Sequence, residues 1–258
     1  MTTPYPLPAL LDGHVALITG GGRGNGSAIA QGLAQSGATV VVADIDVTTA
    51  ESTAAQIRRE GGHAVALAWD ISDPEHAERA FEQLQEMGYV VSVLVNNAAI
   101  EVPGSVGDAD YAIGWRRLLN VNLDGTMRVT EALLPQLRQR RGSIVNIVSV
   151  QCVVALQAHA SAYAVSKAAI AQYTRSLAVE LAADGVRVNS IAPGFFATPM
   201  TAVTRADPVR HRAALQRVPL ARFGEPDELV GPVVFLSSAM SSYVTGAMIA
   251  VDGGLLAL

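Results

Sequence analysis

The sequence contains a single cysteine, Cys152, which excludes an internal disulfide and any metal site built from clustered cysteines. Histidine is scarce as well: the five residues stand far apart, and none has the spacing, as in H-E-x-x-H, that would set two metal ligands on one helical face. Charged residues make up only 16% of the chain, and the net charge of -5 comes with dispersed basic residues, so there is no electrostatic footprint for nucleic acid. No apolar run approaches the ~18 residues needed to cross a bilayer, and Met1 to Asp12 lacks the basic start and apolar stretch of a signal peptide. These absences predict a soluble, cytoplasmic protein with no membrane partner. Internal repeats and low-complexity linkers are missing too, so the 258 residues are read as one domain, 1–258.

Half of the residues are hydrophobic, enough for strands covered on both faces. Short β-branched runs alternate with longer helical ones, the pattern of repeated βαβ units and a parallel sheet. Strands are predicted at 14–19, 38–43, 63–68, 91–95, 143–148, 186–191 and 247–251. Helices are predicted near 25–36, 48–60, 74–87, 112–139, 161–183 and 226–237, with Pro74 and Pro226 in first turns that tolerate proline. The fold class is therefore α/β, a doubly wound, seven-stranded parallel sheet. Residues 195–225 break the alternation with prolines and arginines; placed after a strand's carboxyl end, such a segment can cover a ligand crevice.

Three patterns carry chemistry. Thr-Gly-Gly-Gly-Arg-Gly-Asn-Gly at 19–26 follows the first predicted strand and opens a helix, so its glycines allow a tight turn beneath a pyrophosphate at the helix N-terminus. Taken alone, such a turn need be no more than a strand-to-helix connection; Asp44, ending the second strand, adds a carboxylate able to accept hydrogen bonds from an adenosine ribose. Tyr163 and Lys167, four positions apart on one helical face, supply a phenol and an ammonium, and Ser149 lies a short loop upstream. Asp70 and Asn96-Asn97-Ala98-Ala99 end two further strands and should reach the same edge of the sheet.

With these motifs in this order, the chain resembles the short-chain dehydrogenase/reductase family over nearly its whole length. Thr19 to Gly26 is similar to the family's Thr-Gly-x-x-x-Gly-x-Gly coenzyme motif, and Asn96 to Ala99 to its Asn-Asn-Ala-Gly segment. The resemblance implies that Asp70 meets the adenine ring, that Asn122 joins Ser149, Tyr163 and Lys167 in the catalytic set, and that Pro193-Gly194 with Thr198 holds the nicotinamide carboxamide. It implies a coenzyme site of Gly20, Gly22, Arg23, Gly24, Asn25, Gly26, Asp44, Ile45, Asp70, Ile71, Asn97, Ala98, Ala99, Tyr163, Lys167, Pro193, Gly194, Phe196 and Thr198. It also implies strand order 3-2-1-4-5-6-7 and a homotetramer, with helices around 112–139 and 161–183 pairing at one interface and Val251 to Leu258 at another. The chain departs from the family pattern at Ala99, Val148 and Cys152. Ser149 and Tyr163 lie 14 positions apart, one more than the pattern expects, which implies a longer loop near the substrate.

The expected chemistry is hydride transfer between a nicotinamide coenzyme and an alcohol or ketone. A free phenol titrates near ~10, so the reading expects Lys167 and the oxidised nicotinamide to favour the phenolate of Tyr163, which takes the alcohol proton. Ser149 would hold the reacting oxygen, and Asn122, as the family implies, would order water behind Lys167. Ser149, Gln151, Cys152, Phe195 and Met200 are the substrate candidates, with Ile100, Val102, Val153 and Phe196 beside them; no cation is among them, so a neutral, partly apolar secondary alcohol is expected. Cys152 reads as a small filler, His159 as a loop residue and Trp115 as a packing anchor. Asp44 favours NAD as cofactor, because the extra phosphate of NADP would face its charge, while Arg23 argues the other way and Ile45 adds no cation. Two alternatives remain: an NADP-dependent ketone or 3-oxoacyl thioester reductase, and a coenzyme-binding regulator without turnover.

Overall fold

The computed structural model describes residues 9–156 and 158–258; the beginning of the Met1 to Asp12 segment lies outside them. Seven parallel strands form one sheet in the order β3-β2-β1-β4-β5-β6-β7. They are β1 (Val15–Thr19), β2 (Thr39–Asp44), β3 (His63–Ala68), β4 (Val93–Asn96), β5 (Ser143–Ile147), β6 (Arg187–Pro193) and β7 (Met248–Val251). Helices α1 (Gly24–Gln35), α2 (Val47–Arg59), α3 (Pro74–Glu86), α4 (Tyr111–Leu119), α5 (Thr126–Arg140), α6 (Ser161–Glu180), α7 (Ala202–Ala206), α8 (Pro208–Leu215) and α9 (Val230–Ser237) surround it. Among the described residues no helix is long and apolar enough to cross a membrane.

Because side chains alternate along a strand, each strand feeds both faces of the sheet. Ala16, Ile18, Val40, Val42, Val93 and Val95 pack with Ile29, Leu33, Ala54, Ile57 and Val233 of α1, α2 and α9. Their neighbours Leu17, Val41, Ala43 and Leu94 pack on the other face with Leu84, Val129, Leu133 and Leu177 of α3, α5 and α6. Local chemistry sets the helix starts. Asp46 accepts from the N–H groups of Thr48 and Thr49, and Asp73, followed by Pro74, accepts from that of Glu75. The N-cap at the head of α3 is thus Asp73, which leaves Asp70 free for the strand edge.

The single helix predicted over 112–139 is interrupted. Between α4 and α5, residues Asn120–Gly125 form a π-helical turn. The extra residue per turn lets Asn122 face the β4 side, where its side chain takes both backbone groups of Ile100: Oδ1 accepts from the N–H at 2.8 Å and Nδ2 donates to the carbonyl at 3.0 Å. Thr126 Oγ1 then donates to the Asn122 carbonyl at 2.8 Å. Residues 195–225 carry α7 and α8 and close on themselves through a bridge between Phe196 and Gly224.

Candidate active site

Since all seven strands run the same way, their carboxyl ends share one edge, and the order reverses between β1 and β4. A cleft of about 560 Å³ opens there, lined from the ends of β1 to β6 and by Pro199 to Thr201 of the 195–225 segment.

Its coenzyme half is built by backbone. Gly20 and Gly24 adopt positive φ, and a Cβ on Gly26 would come within 2.0 Å of the Gly20 carbonyl oxygen, so the turn closes only with glycine. Asn97 braces it from β4, Nδ2 donating to the carbonyls of Thr19 and Gly20 at 3.0 Å each, while Thr19 Oγ1 accepts from the N–H groups of Asn97 and Ala98. Gly22 lies outside the cleft: it packs toward Thr49, and its N–H donates to Asp44 Oδ2 at 3.0 Å. With the Asp46 N–H on Oδ1 at 3.1 Å, this fixes the buried Asp44 carboxylate at the cleft wall beside exposed Ile45. Asp70 is held in the same way, Oδ1 accepting from the Ser72 N–H and hydroxyl at 2.9 and 2.6 Å. Arg23 is exposed at the rim, without an ion pair among the described residues. Gly20, Gly24, Asn25, Gly26, Ile71, Ala98, Ala99, Pro193, Gly194, Phe196 and Thr198 all line the cleft. A dinucleotide fits these residues: the glycine turn leaves backbone room, and the buried Asn25 Oδ1 finds no partner among the described residues.

The other half brings the predicted catalytic residues together. Ser149 and Tyr163 both line this end of the cleft, and the serine hydroxyl acts on the phenol to lower it. Lys167 Nζ is buried, donates to the Ile147 carbonyl at 2.8 Å and lies 5.7 Å from the centre of the Tyr163 ring. Asn122 is buried behind them; its Nδ2 donates to Ser166 Oγ at 3.2 Å, and that hydroxyl donates to the Tyr163 carbonyl at 2.8 Å. Desolvation dominates the electrostatics of the coenzyme-free site. Among the protein's own groups, burial is the largest influence on Tyr163 and pushes the phenol up, Glu101 adds to this, and Ser149 opposes it. Burial likewise brings Lys167 down to about 8, so keeping an ammonium there is itself costly.

Met200 and Ile100 line this end, but Gln151, Cys152 and Phe195 do not, nor do Val102 and Val153. Cys152 is half-buried with Sγ 3.5 Å from Met248 Sδ, and Phe195 packs on Phe223. His159 sits on the loop before α6 with positive φ, and Trp115 packs on Tyr111. The sequence reading missed Trp69 and Ser72, which flank Asp70, together with Arg117 and Asn120, one turn apart before Asn122. The helical spacing of Arg117 and Asn120 was the available signal.

A family model described as enoyl-(acyl carrier protein) reductase matches residues 20–256. A 3-oxoacyl-[acyl-carrier-protein] reductase of Thermotoga maritima is 37% identical over 246 residues, 95% of this chain and 98% of that protein. The chain belongs to the short-chain dehydrogenase/reductase family. It is an oxidoreductase of that family with a nicotinamide coenzyme. A galactitol 2-dehydrogenase (L-tagatose-forming) of Cereibacter sphaeroides is 38% identical over 248 residues, 95% of either chain. The structure of a Burkholderia cenocepacia gluconate 5-dehydrogenase in complex with NADP and tartrate superposes with a TM-score of 0.92 at 35% identity, covering 97% of this chain and 98% of that one. Within the family, then, similar chains carry names for acyl-thioester, polyol and sugar-acid chemistry.

Proposed function

We propose that the protein transfers hydride between NAD(H) and a neutral, partly apolar secondary alcohol or ketone, with Ser149, Tyr163, Lys167 and Asn122 as the catalytic set. The observation that carries this reading is the convergence of Ser149, Tyr163 and buried Lys167, with Nζ 5.7 Å from the phenol ring, at the end of the cleft that runs on to Asp44. When bound, the nicotinamide supplies the hydride acceptor or donor and, in its oxidised form, a positive charge. Ser149 holds the reacting oxygen beside the phenol, and Tyr163 exchanges its proton. As a phenol it is ready to donate to a carbonyl. In oxidation, our favoured direction, it must first lose its proton, against the burial that raises it. Asn122, locked on Ile100, holds α6 through Ser166.

The Asp44 carboxylate supports NAD. A phosphate ~4 Å from it at an effective dielectric of ~20 would be repelled by ~4 kcal/mol per unit charge pair. Arg23 supports the second reading, an NADP-dependent ketone or 3-oxoacyl thioester reductase, in line with the names of the Thermotoga relative and the NADP complex. Enoyl reduction, the description of the matched model, is disfavoured by the four-position spacing of Tyr163 and Lys167. Exposed Ile113, Met127, Val165 and Val179 on α4, α5 and α6 support assembly into a homotetramer, whose mass in solution is the check. A screen of secondary alcohols, sugars, polyols, hydroxysteroids and hydroxyacyl thioesters with both coenzymes tests the whole reading. Coenzyme binding without turnover of any of them would favour a regulator instead.

A further inference from the structure

Ser149 stands where β5 hands over to a short 3-10 turn, Val150–Cys152, and the two sides of that junction are held differently. On the strand side the sheet holds it, the Val148 N–H donating to the Ile191 carbonyl at 2.8 Å. On the other side the turn bonds only to itself: the Gln151 N–H donates to Ser149 Oγ at 3.2 Å and the Cys152 N–H to the Ser149 carbonyl at 2.9 Å. Of the three residues of the turn, Val150 alone is buried. It enters a small core, apart from the two that flank the sheet, which it shares with Val218 just after α8 and Leu255 of the C-terminal turn. A chain end is ordered only where something ties it down. Here Asp252 spends both carboxylate oxygens on the tail, Oδ1 accepting from the Gly254 N–H at 2.8 Å and Oδ2 from the Leu256 N–H at 2.9 Å. Gly253 has positive φ, a Cβ on it would come within 2.7 Å of Val218 Cγ1, and its carbonyl accepts from the Leu220 N–H at 3.1 Å. The outcome is a leucine 6% exposed at position 255, while Leu258 at the end of the chain is 85% exposed.

We propose that Leu255 is a positioning residue for hydride transfer: from the C-terminal turn it fixes Val150, and through the turn that Val150 begins it fixes the Ser149 hydroxyl in the cleft. A misplacement on the order of 1 Å can cost a reaction about 100-fold. Truncating a core side chain permits shifts of that kind, because its neighbours relax part-way into the space. The effect should fall on turnover and spare the coenzyme, since none of the residues from Gly20 to Gly26 belongs to this core. The assignment rests on Ser149 as the residue that holds the reacting oxygen, so its test includes a measurement that needs no turnover.

That measurement is amide hydrogen exchange of the coenzyme-free protein. The N–H groups of Cys152, Val153 and Val154 are bonded to the carbonyls of Ser149 and Val150. Leu255→Ala should speed their exchange at least about tenfold and change that of the β5 amides less than about threefold. Leu255→Met, of similar volume, should match the unchanged protein. Leu255→Val, the milder truncation, should fall between the two and replaces alanine if that protein does not fold. In steady state with the fastest alcohol of the screen, Leu255→Ala should lower kcat/KM about tenfold, chiefly through kcat, with NAD affinity within about threefold and rescue by Leu255→Met. In a Ser149→Ala background the same substitution should cost less than about twofold, because the hydroxyl it misplaces is gone. Its mass in solution at assay concentration should be that of the unchanged protein. Unchanged exchange at the turn, a native kcat/KM despite a loosened turn, an equal loss with and without Ser149, or a loss that appears only with a change of mass overturns the proposal. If the turn loosens as expected while the unchanged protein turns over no alcohol, Leu255 still holds Ser149 in place and it is the hydride-transfer reading that falls.

Discussion

The two halves of the cleft are made differently. The coenzyme half is a backbone object: glycines at positive φ, a carbonyl that leaves no room for a Cβ on Gly26, and carboxylates of Asp44 and Asp70 clamped by neighbouring N–H groups. The substrate half is a side-chain object, assembled from Ser149, Tyr163, Lys167, Ile100 and, from the 195–225 segment, Met200. Backbone geometry at strand ends forces particular residue types into particular spacings, whereas a loop-built wall can be made in many ways. The first half should therefore break sharply under substitution, and the second should bend.

The largest effect is expected where the halves meet. Tyr163→Phe should lower turnover by at least ~100-fold with coenzyme affinity retained, because only the transferable proton is lost. Lys167→Ala should damage both. Coenzyme titration beside steady-state rates separates the two, and a wild-type rate in Tyr163→Phe removes the phenol from the chemistry.

On the coenzyme side, kcat/KM should favour NAD over NADP by at least ~100-fold, equivalent to ~2.7 kcal/mol. Asp44→Ala should narrow the gap from both directions, by weakening NAD use and relieving repulsion of the phosphate. Parity in the unmodified protein would give the decision to Arg23 and sink the role of Asp44.

This contrast also explains what could be read from the sequence. All seven strands lie within two residues of expectation because short apolar runs bounded by turn residues are local signals, and their order is the one the family resemblance implies. The π turn at Asn120–Gly125 was not legible: one extra residue per turn leaves the apolar spacing of α4 and α5 compatible with a continuous helix, and its cause is the contact of Asn122 with distant Ile100. For the same reason Gln151, Cys152 and Phe195 were natural candidates for the substrate wall, being close in sequence to Ser149 and Gly194. Loop packing instead turned Cys152 toward Met248 and Phe195 toward Phe223.

A smaller effect should appear in the pH dependence of stability. Burial lowers Lys167 from its ordinary 10.5 to about 8. Below pH 8 the native protein bears the full cost of the buried ammonium, on the order of 3 kcal/mol. Between about 8 and 10.5 the native state sheds a proton that the unfolded state keeps, so this cost is relieved as pH rises. Lys167→Met should therefore stabilise the coenzyme-free protein at pH 7 and lose most of that advantage by pH 10, as read by denaturant titration. Lys167 is the only lysine of the chain, so a lysine-selective label titrates it without competition from other side chains. Because burial raises Tyr163, alcohol oxidation should climb from pH 7 to 10, while ketone reduction, which uses the protonated phenol, should stay level over the same range. A flat oxidation profile from pH 7 to 10 would contradict this assignment.

The smallest effect is expected from the loop wall. Gln151 contributes its backbone N–H to Ser149 Oγ at 3.2 Å, a bond that its side chain does not affect, and it lies outside the cleft that Met200 lines. Gln151→Ala should change kcat/KM less than ~3-fold, under ~0.7 kcal/mol, and leave coenzyme affinity alone. Met200→Ala removes contact area from the cleft without touching a proton or a charge, so it should raise KM several-fold at nearly constant kcat. The paired kinetics decide whether the substrate wall follows sequence proximity to Ser149 or the packing of the 195–225 segment. A Gln151→Ala loss greater than that of Met200→Ala would move the wall back to the 150–160 loop and erase the distinction between the two halves at that point.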